Sequence, residues 1–212
     1  MSRQIRYQLW IAAAASVIFF WNLGDAGLWD MDEALYTSCA REMFERGDWV
    51  VPWFNGRMFP EKPPLMFWTM IAGFELFGVN ELGARFFSAV MGVATALAAF
   101  HLGRLLFNVR VGLWTGLITA STIVFTISAR AATVDCALTF VTTAAMLLFV
   151  MAKGLGGGIR GSGFGVRDSE HRGLGASAPS GGGERSNPEP RTLHWPYAAL
   201  MYACIGLAVL AK

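Results

Sequence analysis

Leu65–Phe77, LMFWTMIAGFELF, decides how this chain is threaded. The stretch is apolar and aromatic, but it is short, it begins directly after Pro63-Pro64 and it carries Glu75. A bilayer core about 30 Å thick asks for on the order of 20 apolar residues per crossing helix. Leu65–Phe77 therefore suits a helix lying at the membrane interface. Parity makes the choice consequential. If the stretch crossed, the Arg104 to Arg110 turn would fall outside and the preceding acidic residues would lie opposite Asp135. If it stays on the surface, Arg104 and Arg110 are cytoplasmic with Lys153, Arg160, Arg167 and Arg172, as basic residues prefer. Asp32, Glu61 and Asp135 then share the outer face.

Outward from this stretch, hydrophobicity comes in blocks. The apolar fraction is 54% and the charged fraction 15%, with a mean hydropathy of +0.44; a soluble domain carries roughly 25% charge. Arg3 and Arg6 precede an apolar run over residues 7–23, whose end, Phe19-Phe20-Trp21, lacks the small-residue cleavage site of a signal peptide. Further spans read at 86–102, 111–128, 136–152 and within 194–212. The expected fold is an all-α polytopic membrane protein of about five transmembrane helices. Residues 1–153 form its main membrane domain, and a long periplasmic first loop, 24–85, carries interfacial amphipathic helices. Residues 154–193, rich in Gly, Ser and Pro, read as a disordered cytoplasmic linker. The ending at Lys212, directly after an apolar block, leads us to expect the N-terminal part of a longer protein.

Composition also excludes. A net charge of +2 with dispersed basic residues gives no nucleic-acid footprint. Three cysteines without CxxC spacing suggest neither a disulfide framework nor a zinc site. Neither GxGxxG nor GxxxxGK[ST] occurs.

The chemistry-bearing residues stand near the ends of the apolar blocks. Asp32 through Arg46 reads as an amphipathic helix, capped by Asp30 or Asp32, with Leu35, Cys39 and Met43 on one face and Gly47 ending it. Asp135 stands where the fourth span begins. A carboxylate there needs a partner or a wet cavity, although a first-turn acid favoured by the helix dipole and paired with Arg130 is the plainer reading. Asp32 and Glu33 have the same plain reading, and Glu61-Lys62 also reads as a solvated ion pair. Taken together, these acids, Lys62 and Tyr36 can supply a general base, a divalent-metal ligand and a cation for an anionic leaving group.

The order Asp32-Glu33-x-x-Tyr36, Arg41-Glu42-Met43, Gly47-Asp48-Trp49-Val50, Asn55-Gly56, Phe59-Pro60-Glu61-Lys62-Pro63-Pro64, Leu76-Phe77-Gly78, Ala84-Arg85 and Ala129-Arg130 before Asp135 resembles the N-terminal half of the bacterial aminoarabinose transferases of lipid A. With the protein O-mannosyltransferases these make up part of the C-type membrane glycosyltransferase superfamily. The resemblance implies an enzyme of the bacterial inner membrane, its N-terminus cytoplasmic and its site periplasmic. Such an enzyme moves a sugar from a polyprenyl-phosphate donor to a lipid or other envelope acceptor by inverting displacement. It also implies catalytic roles for Asp32 and Asp135, substrate contacts from Lys62, Tyr36, Glu33 and Arg130, and a metal-associated carboxylate at Glu61. Leu35 stands where many relatives have arginine. Two other readings stay open at this point: an ion- or proton-coupled transporter module, since intramembrane acids also serve as relays, and an inactive fragment.

Overall fold

The computed structural model describes residues 3–28, 30–62, 64–153 and 195–211; the expected linker at 154–193 lies outside them. The described chain is all-α apart from one minimal hairpin. Helix α1, Arg3–Phe20, is followed by α2, Met31–Arg46, then by β1, Trp53–Phe54, paired antiparallel with β2, Arg57–Met58, and by α3, Leu65–Phe77. Then come α4, Glu81–Leu106; α5, Val109–Ser121; α6, Ile123–Arg130; α7, Val134–Ala152; and α8, Trp195–Ala211, which packs along α7.

Among the described residues, α4 and α7 are long and apolar enough to cross a membrane, and α5 with α6 makes a third crossing if the two count as one span bent by 62°. The apolar block expected at 111–128 is thus broken, at Thr122. At the break Thr122 leaves helical backbone for the extended region, φ −66° and ψ 121°, and hydroxyls cluster there. Thr122 Oγ1 donates to the Ile118 carbonyl at 2.7 Å, Ser121 Oγ to the same carbonyl and Thr126 Oγ1 to the Ala120 carbonyl. Such bonds compete with the helical ladder and bend it.

Helix α3 is shorter than the helices that are long enough to cross a membrane. Thirteen residues rise about 20 Å, short of a bilayer core. It is nonetheless more than a surface float: Met66, Phe67, Met70, Ile71 and Phe74 are buried against Tyr36, Cys39, Ala40 and Met43 of α2. Helix α2 follows the expected amphipathic pattern, with Asp30 in extended backbone at its N-cap and Gly47 in the left-handed region, φ +67°, ending it.

The interior divides into two clusters. One joins α2 and α3 with Ala84 and Ala132; the other joins α1, α4, α5 and α6 and includes Ala129 and Cys136. Between α6 and α7 the chain passes from the second cluster at Ala129 to the first at Ala132 and back at Cys136. Thr133 and Asp135 are therefore delivered to the seam between the interfacial layer and the helical bundle.

Candidate active site

At this seam a cavity of about 340 Å³ is lined by Asp30, Asp32, Tyr36, Lys62, Thr133, Val134, Asp135 and Leu138. Three elements supply it. The first turn of α2 projects Asp32, and Tyr36 follows one turn later on the same face, i and i+4. The turn between β2 and α3 carries Lys62, and the first turn of α7 carries Asp135. Asp32 and Asp135 are exposed, Lys62 is half-buried and Tyr36 is buried. The Lys62 ammonium sits over the Tyr36 ring, 5.8 Å from its centroid, at the outer limit of a cation–π contact. Tyr36 is in turn held edge-on by Phe67 of α3. Thr133 occupies the N-cap position of α7 without capping it, and its hydroxyl is buried with no hydrogen-bond partner.

Four of the seven residues singled out from sequence, Asp32, Tyr36, Lys62 and Asp135, are brought together here. The other three are not. Glu33 points away from the cavity and is fully buried. Its carboxylate accepts from Arg85 of α4, Nε to Oε1 at 2.7 Å and Nη2 to Oε2 at 2.8 Å, and from the Ala132 backbone N–H at 2.9 Å. Both oxygens are engaged inside the fold, so Glu33 acts here as a structural clamp. Arg85 continues the clamp, donating to the carbonyls of Leu23 at 3.2 Å, Ala26 at 2.5 Å and Gly27 at 3.0 Å.

Arg130 does not pair with Asp135. It donates through Nη1 to the Ile18 carbonyl near the end of α1 at 2.9 Å, and it lines a separate cavity with Leu23, Arg85 and Ile127. Glu61 is exposed and is not among the residues lining the 340 Å³ cavity. Among the described residues no three His, Cys, Asp or Glu side chains gather as metal ligands would.

Sequence reading missed Arg85. The signal was present: an arginine inside the first turns of a 26-residue apolar helix cannot be buried without a partner. The Glu33–Arg85 pair binds the start of α2, the start of α4, the loop after α1 and the loop before α7. Asp32 adjoins one end of this clamp and Asp135 follows three residues after the other. The clamp thereby sets how the two pocket acids are presented.

Fold and pocket together point to a class: the chain is similar to the C-type membrane glycosyltransferases. Residues 61–155 match the family of dolichyl-phosphate-mannose-protein mannosyltransferases. An uncharacterized protein of Aquifex aeolicus is 34% identical over 134 residues, 63% of this chain and 27% of that one. The undecaprenyl phosphate-alpha-4-amino-4-deoxy-L-arabinose arabinosyl transferase of Pseudomonas savastanoi pv. phaseolicola is 36% identical over 92 residues, 43% of this chain and 17% of that enzyme. In fold, the chain superposes on ArnT from Cupriavidus metallidurans in the apo state with a TM-score of 0.73 and 25% identity, over 100% of this chain and 33% of that one. The same protein bound to undecaprenyl phosphate matches with a TM-score of 0.72 at 25% identity, over 96% of this chain and 32% of that one. In sequence and in fold, the chain resembles the C-type glycosyltransferases represented by ArnT, and it spans about a third of that solved chain.

Proposed function

We propose that this chain takes part in transferring a sugar from a polyprenyl-phosphate donor to a lipid, lipid A-like, or other envelope acceptor at the outer face of a bacterial inner membrane. The observation that carries this reading is the shared cavity of Asp32, Tyr36, Lys62 and Asp135. The names of the arabinosyl transferase relative and of the undecaprenyl phosphate complex support its choice of donor. In a single inverting displacement the acceptor oxygen bonds to the anomeric carbon as the bond to the phosphate oxygen breaks, and the electron pair leaves with polyprenyl phosphate. The site must hold that departing dianion and orient the nucleophile.

Lys62 is the cavity's cation and is assigned to the donor phosphate. Tyr36 beneath it limits where the ammonium can sit. Asp32 takes the proton of a hydroxyl acceptor, with Asp135 across the cavity as the alternative base; an acceptor that is already an ionised phosphate needs neither. Acids gathered at one end of the bundle suit this chemistry better than a transporter, whose relays sit within the spans.

The test is transfer from a polyprenyl-phosphate sugar by the intact protein in membranes. Asp32→Asn and Lys62→Ala should each abolish transfer while leaving the amount inserted unchanged. Retained transfer in both variants would sink the assigned roles.

A further inference from the structure

The second cavity, behind the Glu33–Arg85 clamp, has a volume of about 220 Å³ and is lined by Leu23, Ala26, Arg85, Thr126, Ile127, Arg130 and Ala131. Its two cations are not equivalent. Arg85 is neutralised by Glu33. Arg130 forms no ion pair among the described residues, and its hydrogen bond is to the Ile18 carbonyl. A guanidinium has five N–H donors in a fixed fork, so most of Arg130's recognition capacity remains available, and that fork matches phosphate oxygens in particular.

The surroundings of Arg130 say what would bring the phosphate. At about 100° per residue, Ile123, Ile127 and Arg130 fall within roughly 60° of one another around α6. Ile123 is 76% exposed, Ile127 55%, and the adjoining Val124 73%. One stripe thus runs from bare branched aliphatics to a cation at the cavity mouth. Trp21 is 72% exposed just past the end of α1, and exposed tryptophans at helix ends are the kind that anchor to lipid headgroups. An apolar track ending in a phosphate-shaped cation complements an amphiphile with an acyl chain and a phosphate.

We propose that this cavity and the exposed face of α6 form a binding site for an anionic glycerophospholipid of the bilayer, with its phosphate on Arg130 and an acyl chain along Ile127 and Ile123. The site is separate from the donor pocket, and it rests on the membrane placement of the helices, not on the reaction proposed above.

The experiment is native mass spectrometry of the detergent-purified intact protein titrated with phosphatidylglycerol, diacylglycerol, inorganic phosphate or undecaprenyl phosphate. Wild-type protein should retain one phosphatidylglycerol with higher affinity than diacylglycerol. Arg130→Gln should weaken it by about tenfold, the loss of one charge-assisted contact. Arg130→Lys should keep part of the affinity, and Arg110→Gln at the far end of the bundle should keep all of it. A photoreactive phenylalanine at position 127 should crosslink to that lipid. Unchanged retention in Arg130→Gln overturns the proposal, as does diacylglycerol binding equally well. So does inorganic phosphate competing at equal concentration, since the acyl track would then contribute nothing. Displacement by undecaprenyl phosphate would assign the cavity to the donor, and crosslinking of position 127 to protein would assign the α6 face to another segment; either result overturns it.

Discussion

Removing Arg85 should do more damage than any substitution in the 340 Å³ pocket, and the structure says how much. Arg85 is 3% exposed and Glu33 0%. Arg85→Met deletes both contacts that Arg85 makes to the buried Glu33 carboxylate. Breaking a buried pair from one side costs about 3–5 kcal/mol, a shift of roughly 10²- to 10⁴-fold in the unfolding equilibrium. Glu33→Leu strands the guanidinium instead and should fall in the same range. The double variant, Glu33→Leu with Arg85→Met, removes the uncompensated charge and should recover most of the loss. Recovery stays incomplete, because the carbonyl of Leu23, itself a buried residue, loses its donor at a cost of about 1–3 kcal/mol. The carbonyls of Ala26 and Gly27, on exposed residues, can turn to water. The assay is reversible unfolding in mixed micelles across the four members of the cycle. Single variants each within about 1 kcal/mol of wild type, the range of an exposed pair, would refute the reasoning. So would a double variant as destabilised as the sum of the singles, because the two groups would then be acting independently.

Other outcomes follow from single positions. Burial and the neighbouring Glu42 carboxylate push the Cys39 thiol up to about 11, so Cys39 should resist maleimide at neutral pH in the folded protein and react only on unfolding; rapid labelling of the native state would contradict its packing. The N–H groups of Val50 and Val51 and the Trp53 indole hold Asp48 below its ordinary value of 3.8. The folded-state value is the lower one, so this turn's added stability is present above the ordinary value and is lost as pH falls through the lowered one. Amide protection at Val50 and Val51, corrected for intrinsic exchange, should drop over that window, and Asp48→Asn should remove the dependence. A methyl on Gly112 of α5 would sit 2.6 Å from the Phe100 carbonyl oxygen of α4. Gly112→Ala should therefore force the two helices apart and cost about 1–3 kcal/mol of unfolding free energy, as overpacking does; no measurable change would mean the crossing is loose. Cysteines placed at Asn80 and Asn108, at opposite ends of α4, should label from opposite sides of the membrane, Asn80 from the periplasm; the reverse pattern would invert the proposed orientation.

What the sequence disclosed and what it hid differ in physical kind. The shortness of Leu65–Phe77 is a property of the segment itself, so a helix of thirteen residues could be read directly. Its consequence, Asp135 on the same side as Asp32 and Lys62, matches the shared lining of one cavity. The break at Thr122 was hidden because Ile118 to Ile127 contains neither Pro nor Gly; the hydroxyl-to-carbonyl bonds found there depend on the local backbone. The resemblance names Glu33 along with Asp32, but on a helix adjacent residues point about 100° apart. One enters the cavity, and the other meets an arginine 52 residues further on. Arg130 was linked to Asp135 by proximity along the chain, across a loop that in fact ends one helix and starts another.

Glu33 and Arg130 are both held by bonds within the fold, and neither lines the 340 Å³ cavity. The motif surrounding the pocket is therefore two things superimposed. Asp32, Tyr36, Lys62 and Asp135 face the cavity where a substrate would sit. Glu33 and Arg85 fix the spacing between the helices that carry the two acids. A charge-preserving change at Glu33, such as Glu33→Asp, shortens that strut without removing its charge, so it should alter the geometry of Asp32 against Asp135 while leaving the ion pair formed. Its effect on transfer should consequently appear in kcat, with donor KM nearly unchanged, because Lys62 is carried by a different segment. Equal changes in both constants would mean that Glu33 holds the whole pocket together and does not specifically set the spacing of its acids.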